Sequence, residues 1–110
     1  MNEQSSMDVV RLSGDLDISR RAELTDALAR AGAGRAVLID LSDVPYADST
    51  VIAELLRFRN EAQENGRRIA LLIGNAQFAR ILQYAGLTAA FQVFDERGAA
   101  LTYLAGTDPM

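Results

Sequence analysis

Two short apolar runs, Ala36–Leu41 (Ala-Val-Leu-Ile-Asp-Leu) and Arg68–Ile73 (Arg-Ile-Ala-Leu-Leu-Ile), constrain this chain more than any other feature. A run of that length without polar alternation is the pattern of a strand covered on both faces, as in a parallel sheet. Each run is followed by apolar residues at helical spacing: Val51, Ile52, Leu55, Leu56 and Phe58 after the first, and Phe78, Ile81, Leu82 and Ala85 after the second. Parallel neighbours need a crossover, usually a helix, so this alternation predicts βαβ units and an α/β class. The loop Ser42–Asp48, with Pro45 inside it, leads into the first of these helices, whose Glu54, Arg57, Arg59 and Glu61 are expected to face outward. Asn65-Gly66 ends it, and Gly86 closes the next.

The flanks fill in the remaining elements. Val9, Val10 and Leu12 precede Ser13-Gly14, while Leu16 and Ile18 alternate around Asp17, which reads as a hairpin with its turn at Gly14-Asp15. Ser19 is a suitable N-cap for a helix in which Ala22, Leu24, Ala27, Leu28 and Ala31 recur, stopped by Gly32 and Gly34. Phe91, Val93 and Phe94 read as a last short strand, Asp95 as a cap, and Ala99 to Leu104 as a final short helix. A hairpin added to βαβ units predicts a mixed sheet. Residues 1–7 read as a flexible lead-in, 8–105 as a single domain and 106–110 as a tail.

Composition narrows the function classes. At 110 residues, 49% hydrophobic and 24% charged, the chain matches one ordinary globular domain. A net charge of -4, with no basic cluster larger than Arg67-Arg68, gives nucleic acid no basic face. Cys and His are both missing, which removes thiolate and imidazole metal ligands, Cys nucleophiles and the commonest general base. No cationic start followed by an apolar stretch occurs in Met1–Arg11, and no apolar run nears the roughly 20 residues of a membrane span, so the expected compartment is the cytoplasm, without membrane insertion.

Hydroxyls and a carboxylate crowd where the loop enters its helix, at Asp48-Ser49-Thr50. Any of the three can cap the helix by accepting a hydrogen bond from a free first-turn amide. The same place suits a phosphoryl acceptor. A phosphate there meets free amides and the positive helix end, and adds roughly -1.5 to -2 charge. A hydrolase built on Asp48 and Ser49 is a poor reading, because no His, Cys or obvious Lys base accompanies the hydroxyl.

Four separated segments resemble one family. Leu12-Ser13-Gly14-Asp15-Leu16-Asp17 is similar to "LxGelD", Val37-Leu38-Ile39-Asp40-Leu41-Ser42 to "vvlDls", Val44-Pro45-Tyr46-Ala47-Asp48-Ser49-Thr50 to "vxfiDSSG", and Ile81-Leu82-Gln83-Tyr84-Ala85-Gly86-Leu87 to "vLeltGL". These are the ordered signatures of the STAS domain, shared by bacterial anti-sigma-factor antagonists and the cytoplasmic tails of sulfate transporters. The resemblance spans about Val9 to Leu104. It implies a STAS-type α/β fold, a mixed sheet of four or five strands with helices mainly on one side.

The resemblance also assigns roles. Ser49 matches the family's phosphorylated residue and Asp48 its neighbour, while Asp17 matches a residue of the partner-binding surface. Thr50, Ile52, Ala53 and Leu56 lie on the helix segment used in docking. Ile52 and Leu56 equally satisfy the core pattern, and Asp17 equally suits a turn or cap. Val51 stands where the family usually has Gly, and a branched side chain there could obstruct a kinase approaching the backbone. The implied function is an anti-sigma factor antagonist. Unphosphorylated, it binds an anti-sigma factor that is also a serine kinase and so frees a sigma factor; phosphorylation of Ser49 ends the interaction and a serine phosphatase restores it. On this reading the chain is no enzyme and needs no cofactor. The alternative is a stand-alone STAS accessory subunit of an ABC-type transport system.

Overall fold

In a computed structural model, residues 7–31, 35–84, 86 and 91–106 are described. Strand β1 (Met7–Ser13) leads through a 3-10 turn (Ile18–Arg20) to α1 (Arg21–Ala29). Then come β2 (Ala36–Asp43), α2 (Ser49–Glu64), β3 (Arg68–Ile73), α3 (Ala76–Tyr84), β4 (Gln92–Phe94) and α4 (Arg97–Leu104). The helix stops expected at Gly32 and Gly34, the helical position Ala85, the motif residue Leu87, and positions 1–6 and 107–110 lie outside the described residues.

The four strands lie in the order β1-β2-β3-β4 and every neighbouring pair is parallel. Because such crossovers are right-handed, a strand order that never reverses places all three connecting helices on one face. There Val10, Leu12, Val37, Ile39, Leu41, Leu71 and Ile73 pack against Leu24, Leu28, Val51, Leu55, Phe78 and Leu82. Helix α4 follows the last strand and takes the opposite face, closing Ala36, Leu38, Ala70 and Leu72 under Ala100 and Leu104. Both apolar runs are thus buried on two sides, as their composition requires.

Several local expectations are corrected. The hairpin does not form, and among the described residues the sheet is parallel rather than mixed. Gly14, at φ 78°, bends the chain without turning it back; its amide donates to the Asp43 carbonyl, and Leu16 goes on to a parallel bridge with Ala47. Ser19 is not the helix cap. Asp17 caps the 3-10 turn by accepting from the Ser19 amide at 3.0 Å, and α1 starts only at Arg21. Glu96, not Asp95, caps α4, its carboxylate accepting from the Ala99 amide at 3.3 Å. Ile81 is exposed, since Phe78 and Leu82 already fill the inward side of α3. Strand β1 includes Met7 and Asp8, ahead of Val9 where the apolar pattern begins.

Candidate functional site

The site forms where the chain leaving β1 runs beside the chain leaving β2. Fully buried Leu16 donates its amide to the Tyr46 carbonyl at 2.9 Å and accepts the Asp48 amide at 3.0 Å. These two bonds hold Asp17 and Ile18 alongside Tyr46, Asp48 and Ser49. Sequence separation alone, about thirty residues, gave no hint of this pairing.

At the start of α2 the capping question has a definite answer. Asp48 is extended (φ -85°, ψ 176°) and its Oδ1 accepts from the Val51 amide at 3.1 Å. Ser49 is the first helical residue, exposed, and its hydroxyl makes no hydrogen bond among the described residues. The cap and the candidate phosphoryl acceptor are therefore separate residues, with the hydroxyl of Ser49 left to solvent at the positive helix end. Thr50 is half-buried behind it.

The remaining candidates spread along α2. Ala53 is exposed one turn beyond Ser49 on the same side. Ile52 and Leu56 pack against the core and stay partly exposed, so they border the exposed strip rather than form its centre. Val51 is 0% exposed. Its side chain fills the core under the helix start, so it cannot obstruct a partner approaching from solvent.

Asp17 faces solvent. Its carboxylate accepts from the Ser19 hydroxyl at 2.5 Å and from the Ser19 amide, and these bonds hold its pKa below the usual carboxylate range. It is a turn cap and a surface anion at once.

Two buried carboxylates escaped the sequence reading. Glu54, expected to face outward, is buried between α1 and α2. Its Oε2 accepts from Arg21 Nη2 at 2.8 Å and Nε at 3.0 Å, while Oε1 accepts from Arg57. Hydrogen bonds from Arg57 and then Arg21 keep its pKa low. Asp40 breaks the apolar run of β2 and points at the α4 face. Burial pushes its pKa up, but the Ser42 hydroxyl (2.6 Å) and amide (3.0 Å) outweigh it, with the charges of Arg97 and Arg11, and the net direction is down. The signal for Asp40 was present in the sequence: a lone acid in an otherwise apolar strand demands a buried partner. For Glu54 there was none, because Arg21 lies 33 positions away.

A family model described as "Mlab, STAS domain" matches residues 1–94. This chain belongs to the STAS-domain family. The architecture agrees with solved members. An anti-sigma factor antagonist from Mycobacterium paratuberculosis superposes with a TM-score of 0.83 at 22% identity, covering 94% of this chain and 90% of that one. A sulfate transporter family protein from Wolinella succinogenes gives 0.79 at 20%, covering 93% and 89%. The phosphorylated form of the Bacillus cell fate determinant SpoIIAA gives 0.57 at 23%, covering 86% and 87%. At these identities the likeness concerns the STAS fold. Among the described residues of this STAS domain, no helix is long and apolar enough to cross a membrane.

Proposed function

We propose that this STAS domain is an anti-sigma factor antagonist switched by phosphorylation of Ser49. The observation that carries the reading is the state of that residue: exposed, its hydroxyl without a hydrogen bond among the described residues, first in α2, with the adjacent Asp48 doing the capping. A phosphate can be added and removed there without breaking the cap. Its charge stands beside Asp48 and near Asp17, and a crowded set of anions is costly to desolvate against a partner. Phosphorylation therefore weakens docking.

In this scheme the unphosphorylated protein binds an anti-sigma factor with serine kinase activity, of the histidine-kinase-like ATPase family, and frees a sigma factor. The kinase modifies Ser49 and a serine phosphatase reverses it. Asp17, Asp48, Thr50, Ile52, Ala53 and Leu56 frame the docking surface. The chain is substrate and ligand in the cytoplasm, not an enzyme, and uses no cofactor. Burial of Val51 supports the reading, because it leaves the approach to Ser49 clear.

Phosphopeptide mapping after incubation with an anti-sigma factor kinase from the same genome tests the acceptor: label on Ser49 is expected, and label on Thr50 or Ser42 alone refutes it. Calorimetry with that kinase tests the switch. Ser49→Asp should bind roughly tenfold to a hundredfold more weakly and Ser49→Ala about as well as wild type. The likeness to a sulfate transporter family protein leaves open a second reading, an accessory subunit of an ABC-type transport system. Binding to a transporter ATPase alone, with Ser49→Asp harmless, would establish it.

A further inference from the structure

Two of the large apolar side chains exposed on this domain flank the site. Ile18 is 63% exposed and Tyr46 is 48% exposed. Neither is loosely placed. The Tyr46 carbonyl is bonded to the Leu16 amide, and Ile18 opens the 3-10 turn that Asp17 caps and the Arg20 amide closes onto the Asp17 carbonyl at 2.9 Å. Apolar side chains carried on a hydrogen-bonded backbone and held in water, next to a hydroxyl with no bond among the described residues, have no role in this fold's core.

The charge around them is one-sided. Arg20 is turned inward onto the carbonyls of Ser13 and Asp15 and the carboxylate of Glu23, and Arg11 is paired with Asp43 at 3.1 Å. Arg21 is held by Glu54. Asp15, Asp17 and Asp48 form no ion pair among the described residues, and only Asp17 feels a nearby cation, Arg20, so the apolar pair is bordered by carboxylates without salt-bridge partners. An apolar centre with an anionic border is complementary to an apolar recess rimmed by Lys and Arg.

Resting on the antagonist reading above, we propose that Ile18 and Tyr46 are the apolar anchors of the docking surface, and that the anti-sigma factor receives them in an apolar recess bordered by cationic side chains. Aromatic anchors seated in desolvated pockets carry a disproportionate share of interface affinity. Ser49 lies beside them, so one phosphate acts at the edge of the desolvated zone.

The test is titration calorimetry of the full chain against the anti-sigma factor kinase, with wild type and Ser49→Asp measured first. Tyr46→Ser should weaken binding at least about tenfold and Ile18→Ser roughly fivefold, while Tyr84→Ser, a still more exposed apolar site on α3 at the β3–β4 side of the sheet, should leave it unchanged. Tyr46→Phe should keep most of the affinity. Raising salt from about 0.05 to 0.5 M should weaken wild-type binding severalfold. Circular dichroism melts confirm that the exposed-site variants stay folded. Wild-type binding that responds to Ser49→Asp but not to Ile18→Ser or Tyr46→Ser refutes the anchors and leaves the antagonist reading standing. Wild type failing to bind the kinase, or the two variants losing only a transporter ATPase, overturns both.

Discussion

Replacing Asp48 and Ser49 one at a time separates the two jobs found at the start of α2. Asp48→Ala removes the side-chain acceptor of the Val51 amide, and loss of such a cap costs about 0.5–2 kcal/mol. Ser49→Ala removes a hydroxyl with no partner among the described residues and replaces Ser by a better helix former, so its effect should lie within about 0.5 kcal/mol of zero. Ser49→Asp adds an anion to the first turn, which the helix dipole favours by about 0.3–1 kcal/mol. The three variants should therefore melt in the order Asp48→Ala, then Ser49→Ala, then Ser49→Asp. At about 5 °C per kcal/mol for a domain this size, Asp48→Ala should fall several degrees below the other two. Urea melts at pH 7 read the differences directly. A loss above about 1 kcal/mol in Ser49→Ala, with Asp48→Ala silent, would make Ser49 the cap and undo the argument that phosphate leaves the helix start intact. The ranking also protects the binding test: a phosphomimetic more stable than wild type cannot lose its partner by unfolding.

Val51→Gly restores the residue usual in the family yet empties a fully buried site, and should cost about 2–4 kcal/mol in urea melts. Gly74→Ala places a Cβ 2.5 Å from the Ser42 carbonyl oxygen, where the ends of β2 and β3 come together, and should cost about 1–3 kcal/mol by the same measurement. Asp40 has a folded pKa below its unfolded one, so the unfolded chain binds the extra proton. Its contribution is complete above the unfolded value and is lost as pH falls through the folded value. Melts at a series of pH values should show wild type losing stability on the acid side more steeply than Asp40→Asn, and parallel curves would show that Asp40 is not held as an anion.

Much of this protein was legible without coordinates. The runs at 36–41 and 68–73 are apolar on both faces, and only a sheet sandwiched between helices removes both faces from water, so class and central strands follow from composition over six residues. The ordered motifs led to the STAS family and to the Asp48-Ser49 junction. Tertiary structure decided what depends on partners distant in the chain. Leu16 had the alternation of a hairpin strand, but a backbone amide takes whichever carbonyl the packed chain offers, and here that carbonyl belongs to Tyr46. Glu54 looked like one more charge on an outward helix face until α1 brought Arg21 against it. Which of Asp48, Ser49 and Thr50 caps α2 turned on one backbone conformation, and periodicity is blind to that because all three residue types can cap. The exposure of Ile18 and Tyr46 was hidden for the same reason: apolar character predicts burial on average, and only the finished packing shows which apolar side chains the core had no room to cover.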